Sequence, residues 1–183
     1  MSGADLWAPP PPPLTKLGRH RQLSPTAGVH VSPICLGAMS IGDQWPNLGA
    51  MNKEMSFKLL DAFYEAGGNF IDTANNYQNE TSEKFLGEWM ESRGIRDQIV
   101  LATKARLRSS LACRWNHSAY DTLLHQYTAN FKMGKQDIKQ KTSFVGNSMK
   151  SLSLSVEESL KKLRTTYIDI LYVHWVSWWS QCL

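Results

Sequence analysis

The strongest constraint in this sequence is an alternation. Short apolar runs of strand length are separated by segments whose apolar residues recur at helical spacing. Residues 31–37 read as a strand ending on Gly37. Residues 53–66 place Phe57, Leu60, Phe63 and Tyr64 at helical spacing, and Gly67-Gly68 stops them. Residues 69–73 form a second strand. Residues 82–93 form a second helix, with Thr81 or Ser82 as its cap, Phe85, Leu86, Trp89 and Met90 on one face, and Gly94 at its end. A third strand at 99–103, a third helix at 155–163 with Val156, Leu160 and Leu163 inward, and a fourth strand at 167–173 complete the series. Strands joined by helical crossovers make a parallel sheet. An open dinucleotide-type sheet places GxGxxG after its first strand. Here that turn reads Gly37-Ala38-Met39-Ser40-Ile41-Gly42, and no P-loop occurs elsewhere. The expected class is α/β: the N-terminal half of a (β/α)8 TIM barrel, incomplete at about four βα steps.

Bulk properties remove several classes of function. The 183 residues are 42% hydrophobic and 20% charged, as in ordinary globular domains. The net charge of +4 is spread along the chain at Lys16, Lys58, Lys84, Lys132 and Lys161, without the basic face that nucleic acid requires. Cys35, Cys113 and Cys182 stand far apart, so neither a disulfide framework nor a metal site is expected. Residues 1–5 lack the basic and apolar regions of a secretory signal, and no run of about 18 apolar residues is present. The expected compartment is the cytoplasm, with no membrane partner. The sequons at Asn79 and Asn116 are then chance matches. Pro9 to Pro13 cannot donate backbone hydrogen bonds, so residues 1–24 are expected to be a Pro-rich disordered leader.

The chemistry is carried by polar residues at strand ends. Asp72 ends the second strand, Lys104 the third and His174 the fourth, while Tyr77 lies in the loop after Asp72. Barrel sites form at the C-terminal ends of strands, so all four converge on one mouth. Any one of them has an ordinary explanation: a solvated strand end, a structural histidine, a packed tyrosine. Together they suit carbonyl reduction. An alkoxide forming under hydride attack needs a proton, and a phenol beside an ammonium is a better acid than a phenol alone. General acid catalysis of this kind contributes roughly 10²–10⁴-fold. The expected roles are Tyr77 as acid, Lys104 as its cationic partner, Asp72 as the anchor of Lys104, and His174 as the orienter of the carbonyl oxygen.

The segment Gly68-Asn69-Phe70-Ile71-Asp72-Thr73-Ala74-Asn75-Asn76-Tyr77 carries a family resemblance, as do Gly87-Glu88-Trp89, Leu101-Ala102-Thr103-Lys104 and residues 167–175. These resemble the aldo-keto reductase superfamily, most closely its fungal branch of aryl-alcohol dehydrogenases and norsolorinic acid reductases. Residues 32–40 and 147–152 fit the same branch. The resemblance implies a (β/α)8 barrel, NADPH bound without a Rossmann domain, a small-molecule carbonyl substrate, and a place in fungal secondary metabolism. It also implies the same four roles for Asp72, Tyr77, Lys104 and His174, with Asp72 contacting the cofactor.

Two stretches depart from the family pattern. Residues 105–126 separate Lys104 from a family-like segment beginning at Tyr127, and are read as retained intron sequence or a lid insertion. Residues 176–183 are read as a non-family tail, leaving residues 25–175 as a partial barrel. The expectation is that this chain alone is marginally stable and little active. Two alternatives to the enzyme reading stay open, a truncated inactive fragment and a cofactor-binding regulatory protein.

Overall fold

A computed structural model describes residues 11–106 and 149–174. Its centre is a parallel sheet ordered β3 (Leu36–Gly37), β4 (Phe70–Asp72), β5 (Val100–Arg106) and β6 (Ile170–His174). The crossovers are α1 (Lys53–Glu65), α2 (Thr81–Arg93) and α3 (Met149–Leu163). The expected α/β class with a parallel sheet is therefore observed. A separate antiparallel hairpin, β1 (Arg21–Ser24) with β2 (Ala27–Val31), precedes the sheet.

That hairpin corrects the expected leader. Residues 21–24 pair with 27–31 through a two-residue turn at Pro25-Thr26. Just before it, the Thr15 hydroxyl donates to the carbonyl of Ala66, and the His20 ring bonds Gly67 O at 2.8 Å. Residues 1–10 lie outside the described residues. The expected first strand also divides: Val31 ends β2, and only Leu36–Gly37 join the sheet. Pro33, which has no N–H, falls between the two pieces.

Helices cover one face of the sheet over β4 and β5, while Leu171 and Val173 of β6 stay exposed on that side. Leu60, Ile71, Leu86, Trp89 and Leu101 are fully buried there, each worth roughly 1.5–3 kcal/mol of apolar burial. Trp89 keeps its indole N–H satisfied by donating to Asp61 at 2.8 Å. Hydrogen bonds from Arg93, then from Trp89, hold the Asp61 carboxyl below its ordinary range. Asn52 caps α1 by accepting the N–H of Met55 at 2.9 Å.

The helix α2 begins differently from expectation. Its N-cap is Glu80, in left-handed conformation, with no side-chain cap. Ser82 instead donates to Ala38 O at 2.7 Å and meets Thr73 Oγ1 at 2.9 Å, while Thr81 donates back to Gln78 O. A tertiary partner has taken the Ser82 hydroxyl and the preceding turn has taken that of Thr81.

The helix α3 starts at Met149, earlier than expected, and its buried face is Ser151, Ser155, Ser159, Lys162 and Leu163. Val156 and Leu160 are only half-buried. Small residues face the sheet and α2 because the helices come close enough to exclude larger ones. At the contact with α2, a Cβ on Gly87 would lie 2.7 Å from Leu163 C and 2.8 Å from Leu163 Cα, and nearer still to the carbonyl of Lys162. Gly87→Ala gains up to about 1 kcal/mol of helix propensity but overpacks a backbone contact at a cost of about 1–3 kcal/mol. Net destabilisation of about 1–2 kcal/mol is expected, read as a lower denaturant midpoint at unchanged slope.

The start of β6 is pinned by Arg96. Its guanidinium donates to Asp169 Oδ2 at 2.8 Å, Tyr167 O at 3.0 Å and Thr165 Oγ1 at 3.1 Å, and stacks 3.9 Å from the Tyr167 ring centre. Asp169 also accepts the N–H of Leu101 at 2.9 Å. These bonds delay the strand from residue 167 to Ile170. They also set the register that places Lys104 beside Tyr172 and Arg106 beside His174.

Candidate active site

Strand alternation sends Phe70, Asp72, Lys104, Tyr172 and His174 to the face of the sheet away from the helices. With Cys35 and Gly37 at β3, they line a broad depression of about 610 Å³. The parallel register staggers the polar side chains: Asp72 pairs with Ala102, Lys104 with Tyr172 one step further on, and His174 follows at the strand end. This stagger lets residues from three strands reach one place.

The four residues expected to act together do meet. Lys104 Nζ donates to Asp72 Oδ2 at 2.6 Å and to Thr73 O at 2.8 Å. It also stands 4.8 Å from the centre of the Tyr77 ring. The ring of His174 lies edge-on to that of Tyr77, centroids 6.3 Å apart and planes at 90°. Lys104 and Asp72 are largely shielded, with side-chain exposures of 15% and 29%. In such surroundings a paired ammonium exerts a stronger field on its neighbour than it would in water.

Tyr77 is presented by an unusual turn. Gln78, Asn79 and Glu80 follow it with φ of 52°, 49° and 81°, all in the left-handed region that non-glycine residues avoid. Such conformations cost on the order of 1–3 kcal/mol each and persist only where surrounding bonds impose them. On one side Gln78 is fully buried against the loop joining β3 to α1. On the other lies a buried ionic cluster. Lys162 Nζ meets Glu83 Oε2 at 2.6 Å and Glu80 Oε1 at 3.6 Å, and donates to Asn75 O at 2.8 Å. Glu83 Oε1 accepts the hydroxyl of Thr103, the residue before Lys104, at 2.7 Å.

Cys35 shares the depression but is poorly suited to attack a substrate. Burial, reinforced by the Asp72 carboxylate and opposed by Lys104, pushes its thiol up to about 11, so it stays protonated at neutral pH. Among the described residues no group of three or more potential metal ligands is present, and no helix is long and apolar enough to cross a membrane.

Residues 33–182 match the Aldo/keto reductase family. The chain belongs to that family. It is 59% identical over 172 residues to the aryl-alcohol dehydrogenase [NADP(+)] of Phanerodontia chrysosporium, a match covering 93% of this chain and 40% of that protein. A putative aryl-alcohol dehydrogenase of Saccharomyces cerevisiae is 52% identical over 178 residues, covering 97% and 74%. The norsolorinic acid reductase of Emericella nidulans is 53% identical over 171 residues, covering 92% and 38%. Among solved structures, an aldo-keto reductase from Bacillus halodurans superimposes with a TM-score of 0.58 at 27% identity, covering 85% of this chain and 39% of that one. The chain thus spans about 40% of the length of the Phanerodontia relative. Its sheet and crossovers are part of an aldo-keto reductase barrel, and the fungal resemblance read from residues 68–77 and 167–175 is borne out.

Residues 105–126 of the sequence reading fall almost wholly outside the described residues, as do residues 176–183. Sequence reasoning missed Gln78, Glu83 and Lys162. Gln78 sits beside an aromatic in a loop, and Glu83 and Lys162 sit on helices where charge ordinarily marks a solvated face, so no local signal distinguished them.

Proposed function

We propose that the chain carries the proton-donating part of the site of an NADPH-dependent carbonyl reductase, acting on an aldehyde or ketone or, in reverse, on an aryl alcohol. One observation carries the reading: an ammonium that is ion-paired to Asp72 at 2.6 Å also stands 4.8 Å from the ring of a tyrosine that faces a histidine. Tyr77 donates its proton to the carbonyl oxygen as charge builds there. Lys104 stabilises the negative charge left on the phenol oxygen. Asp72 holds Lys104 in place, and His174 orients the substrate oxygen.

NADPH, when bound, would supply the hydride for the carbonyl carbon. The residues present fit such a group. Gly37, in register with Asp72, has nothing within 4 Å of where a Cβ would stand, so the backbone beside the Asp72 carboxylate is open to a bound group. Asp72 would hold the cofactor there. The Phanerodontia relative is named for aryl alcohols and the Emericella relative for norsolorinic acid, which supports an aryl alcohol or its carbonyl counterpart as the substrate class.

The test is a graft of residues 33–174 into the matching segment of the Phanerodontia enzyme, made with and without residues 105–126. NADPH oxidation that depends on added aromatic aldehyde is expected from at least one version. A folded graft that binds NADPH and oxidises it with neither aldehyde nor ketone would sink the reading.

A further inference from the structure

The carboxamide of Gln78 is spent entirely on the backbone of one loop. Its Oε1 accepts the N–H of Gln44 at 2.9 Å and of Trp45 at 2.7 Å. Its Nε2 donates to Met39 O and to Gly49 O, both at 3.0 Å. A primary amide offers two donors and an oxygen with two acceptor positions, so none remains for solvent. The four contacts grip the segment between β3 and α1 near its start, its middle and its end. Glutamate of the same length lacks the donors, and leucine lacks donors and acceptor alike. The loop is shaped around this side chain. Gly42 takes φ of +128°, and a Cβ on it would collide with Gln78 Cβ and lie 2.6 Å from Gln78 Cγ.

Gln78 directly follows Tyr77 and is itself held in the left-handed region. The loop it grips carries Trp45, whose ring lies edge-on to that of Tyr77 with centroids 6.4 Å apart. The Trp45 indole N–H donates to Asn79 Oδ1 at 3.0 Å, closing a second link across the same gap.

We propose that Gln78 is a positioning residue that sets the β3–α1 loop, and through it Trp45, over the phenol of Tyr77, so that the loop and the acid's turn move as one body. It acts through the loop backbone and touches no reacting atom. The proposal rests on the reading of Tyr77 as acid for its consequence, while the placement of Trp45 is measurable without turnover.

The 183-residue chain is used, with two readouts: amide hydrogen exchange, and the emission of Trp45 isolated by difference against Trp45→Phe. In Gln78→Leu the amides of Gln44 and Trp45 are expected to exchange at least about tenfold faster, while those of Leu60 in α1 and Met90 in α2 hold their protection. Gln78→Glu supplies a reversible version. Protonated, its O–H can donate to Met39 O or Gly49 O while the other oxygen accepts from Gln44 and Trp45. Ionised, it sets a negative oxygen against two carbonyls. Trp45 emission in this variant is therefore wild-type-like at acid pH and moves to the Gln78→Leu value as pH rises, while the wild-type emission stays flat. Unchanged exchange at Gln44 and Trp45 in Gln78→Leu overturns the proposal. So does equal loss of protection in α1 and α2, or a Gln78→Glu variant that follows the wild type at every pH. Failure of the acid reading shows elsewhere, because Tyr77→Phe leaves both loop readouts in place whether or not it abolishes turnover.

Discussion

Replacing Lys162 by methionine is expected to destabilise the chain by about 3–5 kcal/mol, the cost of breaking a buried ion pair from one side. Lys162 and Glu83 have side-chain exposures of 7% and 0%. Methionine matches the length of the stem but leaves the Glu83 carboxylate in the interior with only the Thr103 hydroxyl to meet its charge. The Lys162 hydrogen bond to the Asn75 carbonyl is lost as well. In a chain of this size such a change lowers the melting temperature by on the order of 10 °C. The double variant Lys162→Met with Glu83→Gln separates charge from packing. Glutamine keeps the acceptor for Thr103 and removes the stranded charge, so it is expected to restore more than half of the loss. A denaturant titration of the three proteins reads this directly. If Lys162→Met costs less than about 1 kcal/mol, the cluster behaves as a solvated pair and the turn after Tyr77 is held without it, through Gln78 and Asn79.

That cluster also marks the limit of what could be read from the residue string. Strands and helices were legible because burial on a sheet face or a helix stripe leaves a period in the sequence, as Leu60, Ile71, Leu86 and Leu101 show. Asp72, Lys104 and His174 were legible because each is a polar residue closing an apolar run, although β5 continues past Lys104 to Arg106, and Tyr77 because it follows Asp72 at short range. Their meeting could be inferred from parallel topology alone, since parallel strands bring their C-terminal ends to one side. Lys162 gave no such sign. It is one of two adjacent lysines on an amphipathic helix, and only the close approach of α2 and α3 at Gly87 buries it while Lys161 stays exposed. The buried serines of α3 hid for the same reason, because tight helix contacts select for size rather than for hydrophobicity. The β1–β2 hairpin was masked by its neighbour, a proline tract that sets the character of the first residues but not of residues 21–31.

Converting Tyr77 to phenylalanine in the family-length graft is expected to lower kcat for aldehyde reduction by roughly 10²–10⁴-fold, with NADPH affinity little changed. The change removes one hydroxyl and keeps the ring, so the packing against Trp45 and His174 survives. What is lost is the proton for the oxygen that hydride attack leaves as an alkoxide. Water can supply that proton, but it is not preorganised beside an ammonium, and the residual rate measures the difference. Lys104→Met attacks the same step from behind. It leaves the phenol in place without the cation 4.8 Å from its ring, and strands the Asp72 carboxylate that the lysine meets at 2.6 Å. Its kcat is expected to fall by a similar order, and the double variant to be little worse than either single one, because residues that act as a unit do not add. Full additivity in this cycle would mean that Lys104 serves binding rather than the acid. A Tyr77→Phe graft that turns over at the parent rate would remove Tyr77 from the chemistry altogether, leaving the Asp72–Lys104 pair as a structural feature of the strand ends.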